Sequence, residues 1–228
     1  RVPSQDRWRK IPGWPEFQEY RLANFTDEER DAFIAGFLTY QSGRDGQAVD
    51  AAWVDNRCQE VSALAASDPA VFGRPVHLKI LAELAADRDH DLTRLRHSPS
   101  RWSLYDEFFQ SLARREAEKP ARTPIGEADR LRFLAEVAFW LWRDRAAATS
   151  FVAEVIPDDL LAGLPDGDAH EIEHKRREYL AGAFLERKAG DIYYFPHRSF
   201  AEFLVASRML DHPPSAVEHT LYGTVAQE

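Results

Sequence analysis

Between positions 127 and 143 the chain carries Leu131, Phe133, Leu134, Val137, Phe139, Trp140 and Leu141 at helical spacing, on more than one face of the helix they predict. A helix apolar on several faces cannot rest on a surface, because part of its apolar side would stay in water; other elements must close around it. A mainly α chain built about this segment follows. Upstream, Thr26 with Glu29 forms a capping box ahead of Phe33, Ile34, Phe37 and Leu38. A second predicted helix, about 48–66, buries Val49, Trp53, Val61 and Leu64. A third, about 75–86, buries Val76, Leu78, Ile80, Leu81 and Leu84, with Pro75 in the first turn, where a missing amide costs nothing. Ser103 and Asp106 read as a second capping box before Leu104, Tyr105, Phe108, Phe109 and Leu112.

The last third changes character. A short helix is expected around 149–162, interrupted by Pro157 and Pro165, then a helix at about 169–182. Ala183 to Arg187 and Ile192 to Phe195 are short β-prone runs around a glycine-containing turn, which reads as a hairpin. Ser199 and Glu202 offer a third capping box for a closing helix with Phe200, Phe203, Leu204, Ala206 and Leu210. The fold class expected is therefore a helical bundle subdomain followed by a winged-helix unit with a short β-hairpin. The proline-rich opening, through about Phe25, reads as an irregular arm with a short strand at 19–25. The residues after Pro213-Pro214 read as a linker or the start of another unit.

Composition narrows the function. At 228 residues, 44% hydrophobic and 29% charged, the chain has the makings of one sizeable core or two small ones. No run approaches eighteen apolar residues, so no membrane span is expected. A single cysteine, Cys58, rules out an internal disulfide and a cysteine-rich zinc site, and it fits a reducing, cytoplasmic setting. The net charge of −9 argues against nucleic acid as a partner, since phosphate-backbone binding needs a surplus of Lys and Arg. The start at Arg1, without Met or an apolar signal region, is what an excised or processed chain would show.

Two motifs bear on chemistry directly. His170-Glu171-Ile172-Glu173-His174 is a literal H-E-x-x-H, which on a helix places two imidazoles as zinc ligands and Glu171 to activate water. Its charged surroundings, Glu173, Lys175, Arg176 and Arg177, fit a solvated helix better, and a zinc hydrolase stays an alternative. A phosphate-binding loop needs a Gly-Lys pair, and none of Lys10, Lys79, Lys119, Lys175 or Lys188 follows a glycine. No catalytic residue is assigned, and by itself the chain is not expected to hydrolyse ATP.

The segment Tyr194-Phe195-Pro196-His197-Arg198-Ser199-Phe200-Ala201-Glu202-Phe203-Leu204-Val205-Ala206 resembles the F-x-H-x-[ST]-F-x-E-[FY]-x-A-A signature that closes the winged helix of NACHT proteins, within the STAND class of signalling NTPases, and matches it at Phe195, His197, Ser199, Phe200, Glu202, Phe203 and Ala206. Phe72 to Leu81 resembles the family's proline-bearing helix, with Pro75 at the matching place, and Ser103 to Phe109 with Arg114-Arg115-Glu116 resembles a later helix of the same subdomain. The resemblance implies ADP/ATP as ligand, with magnesium held mainly by a P-loop core belonging to the same parent protein. It implies that Pro75 lines the adenine pocket and that His197 reaches the ADP β-phosphate, holding a closed state that opens into a homo-oligomer on exchange for ATP. It implies signalling, in bacteria defence. The organisation would be 1–25, the arm and end of the nucleotide-binding core; 26–122, the helical subdomain; 123–212, the winged helix; and 213–228, a linker or the start of a sensor region. A winged-helix module that binds protein or nucleic acid is the remaining alternative; a basic final helix would favour it.

Overall fold

The computed structural model describes residues 24–44, 49–119, 125–145, 150–162, 169–181 and 184–211, with backbone alone at 162 and 169–171. The expected arm and strand before residue 24, and the expected linker after 211, lie outside them. The first helix, α1 (Asp27–Gly43), starts at the expected capping box: Thr26 Oγ1 accepts from the Glu29 amide while the Glu29 carboxylate accepts from the Thr26 amide. Ile34 and Leu38 are wholly buried, whereas Phe33 and Phe37 sit half-buried at the rim of the core. The second helix, α2 (Ala51–Ser67), is capped by Asp50 and buries Val54, Val61 and Leu64. Val49 lies before its first turn and is 45% exposed, because the Asp50 cap starts the helix later than hydrophobic spacing alone indicates.

A one-turn helix, α3 (Pro69–Phe72), leads through Gly73 and an extended Arg74 into α4 (Pro75–Ala86). Pro75 is at the N-terminus of α4, where its fixed φ suits the first turn. The turn that leaves α4 is held by Arg57, whose guanidinium donates to the carbonyls of Ala85 (2.9 Å) and His90 (2.5 Å). After a short α5 (Thr93–His97), α6 spans Arg101–Ala117. Its cap is Ser100, which accepts from the Ser103 amide at 3.0 Å; the expected Ser103–Asp106 box does not form, and Asp106 instead pairs with Arg94 at 2.7 Å. The earlier start adds a turn that carries Trp102.

The central helix α7 (Glu127–Asp144) buries Phe133, Leu134, Val137, Phe139, Trp140 and Leu141 and packs on α6 and on α10 (Arg198–Asp211). After it in the chain come β1 (Ser150–Val152), a 3-10 turn, α8 (Asp158–Ala162), α9 (Ala169–Ala181), β2 (Glu186–Lys188) and β3 (Ile192–Tyr194). The stretch expected as a helix at 149–162 is thus a strand, a turn and one helical turn. Phe151 is the reason: paired with Tyr193 across β3, it is 5% exposed and stacks on the Tyr193 ring at 6.0 Å. The sheet is antiparallel in the order β1-β3-β2, with Ser150 and Glu186 both opposite Tyr194. Gly190 and Asp191 both take positive φ, 81° and 54°, in the tight β2–β3 turn. The protein is mainly helical, and among the described residues no helix is long and apolar enough to cross a membrane.

Candidate functional site

Pro75 and His197 stand 122 positions apart in the chain and line one cavity of about 630 Å³. Both are placed by helix starts. Pro75 begins α4, and His197 is the residue before α10, reached from β3 through Phe195 and Pro196. Phe195 is buried, while His197 is exposed, so the strand end is anchored and the imidazole faces solvent. Phe25, Lys79, Phe108 and Phe184 complete much of the cavity wall, which is largely apolar.

His197 also lines a second cavity, of about 450 Å³. Arg74, Arg101 and Arg198 border this one, against a single carboxylate, Glu202. Glu202 is paired with Arg198 at 2.8 Å, so Arg74 and Arg101 leave the cavity with a basic surplus although the whole chain is acidic. Such a local field favours an anion.

A line of hydrogen-bonding side chains runs inward from His197. Its Nδ1 lies 2.6 Å from Ser199 Oγ; Ser199 Oγ lies 2.6 Å from the Tyr105 hydroxyl; that hydroxyl lies 2.8 Å from Nε2 of His77; and Nδ1 of His77 lies 2.5 Å from the Val71 carbonyl. The line ties α10 to α6 and α4. Ser199 therefore does not serve as the cap of a box with Glu202, as its sequence context predicts; the helix already starts at Arg198, and the serine hydroxyl turns inward to Tyr105. Burial pushes the pKa of His77 down, and Arg101 and Arg74 push the same way, against the bond to Val71. Burial likewise raises the Tyr105 hydroxyl, so both groups are neutral near pH 7.

Three residues of the site escape a motif search. His77 falls in the apolar stripe with Leu78 and Leu81 and is 2% exposed; a polar ring so placed must find partners, and that requirement was the legible signal. Arg74 and Arg101 are ordinary surface arginines in sequence, and only the fold brings both beside His197.

The zinc motif is only partly within view. His174 is exposed on α9, and the side chains of His170 and Glu171 lie outside the described residues. Among the described residues no group of three His, Cys, Asp or Glu is placed to hold a metal ion. Arg176 of the same helix is buried and engaged with Asp158 (2.5 Å) and Glu173 (2.7 Å). As for a basic closing helix, Arg198 pairs with Glu202 and Arg208 with Glu136 at 3.0 Å, so both arginines of α10 are matched by carboxylates. No protein-family model matches the chain, and neither the curated proteins nor the solved structures hold a significant match to it.

Proposed function

We propose that this chain is the nucleotide-gating part of a NACHT-type signalling ATPase, with Pro75 against the adenine and His197 donating to the β-phosphate of ADP. The observation that carries the reading is the shared cavity of Pro75 and His197, the two residues that the family resemblance assigns to one ligand. The arginines bordering the second cavity that His197 lines support it, since they add positive potential beside the imidazole. Support for a winged helix comes from the order α7, β1, α8, α9, β2, β3 and the strand order β1-β3-β2, the connectivity such a unit needs. In this reading a P-loop core of the same parent protein supplies most phosphate contacts and the magnesium. ADP holds α10 and its neighbours against that core, and exchange for ATP releases them for homo-oligomerisation in the cytoplasm. A ligand shifts such an equilibrium only through its different affinity for the two states, and the His197 bond supplies the difference.

The test is nucleotide retention by the full-length parent. A hydrogen bond to a charged group contributes about 1.5–3 kcal/mol. At ~1.4 kcal/mol per decade, His197→Ala should release ADP roughly tenfold to hundredfold faster and assemble without its trigger. Unchanged ADP release from a folded variant would reduce His197 to a structural residue.

A further inference from the structure

The direction of each hydrogen bond between Val71 and His197 can be worked out from the inner end. A carbonyl oxygen only accepts, so the 2.5 Å contact with Val71 requires the proton of His77 to sit on Nδ1. His77 is buried and neutral, which leaves a lone pair on its Nε2, and the Tyr105 hydroxyl, 2.8 Å away, donates to it. With its own proton committed, the Tyr105 oxygen can only accept from Ser199 Oγ–H. The serine oxygen is then an acceptor toward His197, and Nδ1 of His197, at 2.6 Å, must donate.

We propose that His77, Tyr105 and Ser199 are positioning residues that put the proton of neutral His197 on Nδ1, leaving Nε2 without a donor until the ring takes a second proton. One contact opposes this polarity: the Ser199 amide points at the same Nδ1 from 3.2 Å and would favour a lone pair there. Suiting that amide requires His77 to carry protons on both nitrogens inside the protein, or to turn a lone pair on the Val71 carbonyl, or else the Ser199 hydroxyl to turn from Tyr105, which sets two oxygen lone pairs against each other at 2.6 Å. Burial and the positive charges of Arg74 and Arg101 resist the first, and lone-pair repulsion at 2.5 Å resists the second. The 2.6 Å hydroxyl contact therefore sets the tautomer over the longer amide contact. The charged and titratable groups that face this line are Arg74 and His77 at α4, Arg101 and Tyr105 on α6, and His197, Arg198 and Glu202 at the start of α10.

The consequence for ligand chemistry rests on the proposed function. Nε2 is the nitrogen left for a ligand, and bare it accepts, so it repels a phosphate oxygen. To donate, the ring must become imidazolium, and anion binding through His197 then takes up a proton.

The tautomer itself is read without any nucleotide. Long-range proton–nitrogen correlation spectra of the histidine-labelled chain, recorded at a pH where imidazole is neutral, distinguish a protonated Nδ1 from a protonated Nε2; His197→Asn assigns the signal. The expected result is Nδ1–H in the wild type. Tyr105→Phe frees the Ser199 hydroxyl to donate to Nδ1, and Ser199→Ala leaves only the amide there, so both variants should revert to Nε2–H. An Nε2–H ring in the wild type, or an Nδ1–H ring kept in both variants, would overturn the relay. If one variant fails to fold, the wild-type spectrum and the other variant still decide. The spectra fail independently of nucleotide binding: an Nε2–H ring with ADP bound removes the relay alone, and an Nδ1–H ring with no ADP bound removes the nucleotide reading alone.

Discussion

The two segments that meet at His197 are held in place by different means. On its C-terminal side, α10 drives Phe200, Phe203 and Leu204 into the core. Phe203 stacks on Phe109 with centroids 5.6 Å apart and planes at 4°, while Phe200 meets Phe109 edge-on at 5.6 Å and Tyr105 at 5.7 Å. On its N-terminal side, β2 is exposed throughout and β3 half-buried. The ties there are at the surface: Arg187 to Asp191, Tyr194 to Glu186, and Lys188 over the Tyr194 ring at 4.3 Å. Aromatic burial in a dry seam is worth several kcal/mol per ring, and exposed ion pairs are worth little. His197 thus takes its position from the helix that follows it, while the hairpin delivers the chain to that point and is anchored by buried Phe195 and by Phe151 of β1, which pairs with Tyr193.

Breaking the seam should give the largest effect. Phe109 touches Phe108, Phe184, Phe200 and Phe203 and is 2% exposed, so Phe109→Ala should cost about 3–5 kcal/mol in urea unfolding. A loss below ~1 kcal/mol would mean that the seam is not what fixes α10. A smaller effect belongs to the histidine under the seam. The folded pKa of His77 is held below its usual 6.5, so as pH falls past 6.5 the unfolded chain gains a proton that the folded chain refuses. Stability should be full above that pH and decline below it, and a His77→Gln variant should decline less steeply in the same acid titration. An equal slope in both would show that His90, whose pKa burial also lowers, carries the dependence. The smallest effect is expected on the hairpin: Arg187→Ala removes an exposed pair and should leave the thermal midpoint where it was. A clear fall would contradict the division between a structural helix side and a lightly held hairpin.

What sequence could and could not reveal follows the same division. The helices were legible because Ile34, Leu38, Leu78, Leu81, Phe133 and Val137 recur at helical spacing and each is almost wholly buried. The hairpin was legible from its glycine turn and β-prone flanks. Strand β1 was not, because three residues cannot display an alternation, and its partner lies some forty positions downstream. The helix starts at Ser100 and Arg198 were missed for another reason. A serine followed three residues later by an acid satisfies the capping pattern at Ser103 and Ser199 too, and only tertiary partners, Tyr105 for Ser199 and Arg94 for Asp106, decide which serine caps. At the candidate site, His197 and Pro75 could be picked out one at a time. Their shared cavity, and the approach of Arg74, Arg101 and Tyr105 to the same ring, depend on how α4, α6 and α10 cross, which no local pattern encodes.

The nucleotide reading stands or falls on whether adenine lies against the start of α4. Photolabelling of the full-length parent with an azidoadenine analogue of ADP, followed by peptide mapping, reads this directly. The expected result is label in the tryptic peptide Cys58–Lys79, which carries Pro75, suppressed by unlabelled ADP. Label that unlabelled ADP displaces only from sequence outside this chain would contradict the placement of the nucleotide beside Pro75 and His197.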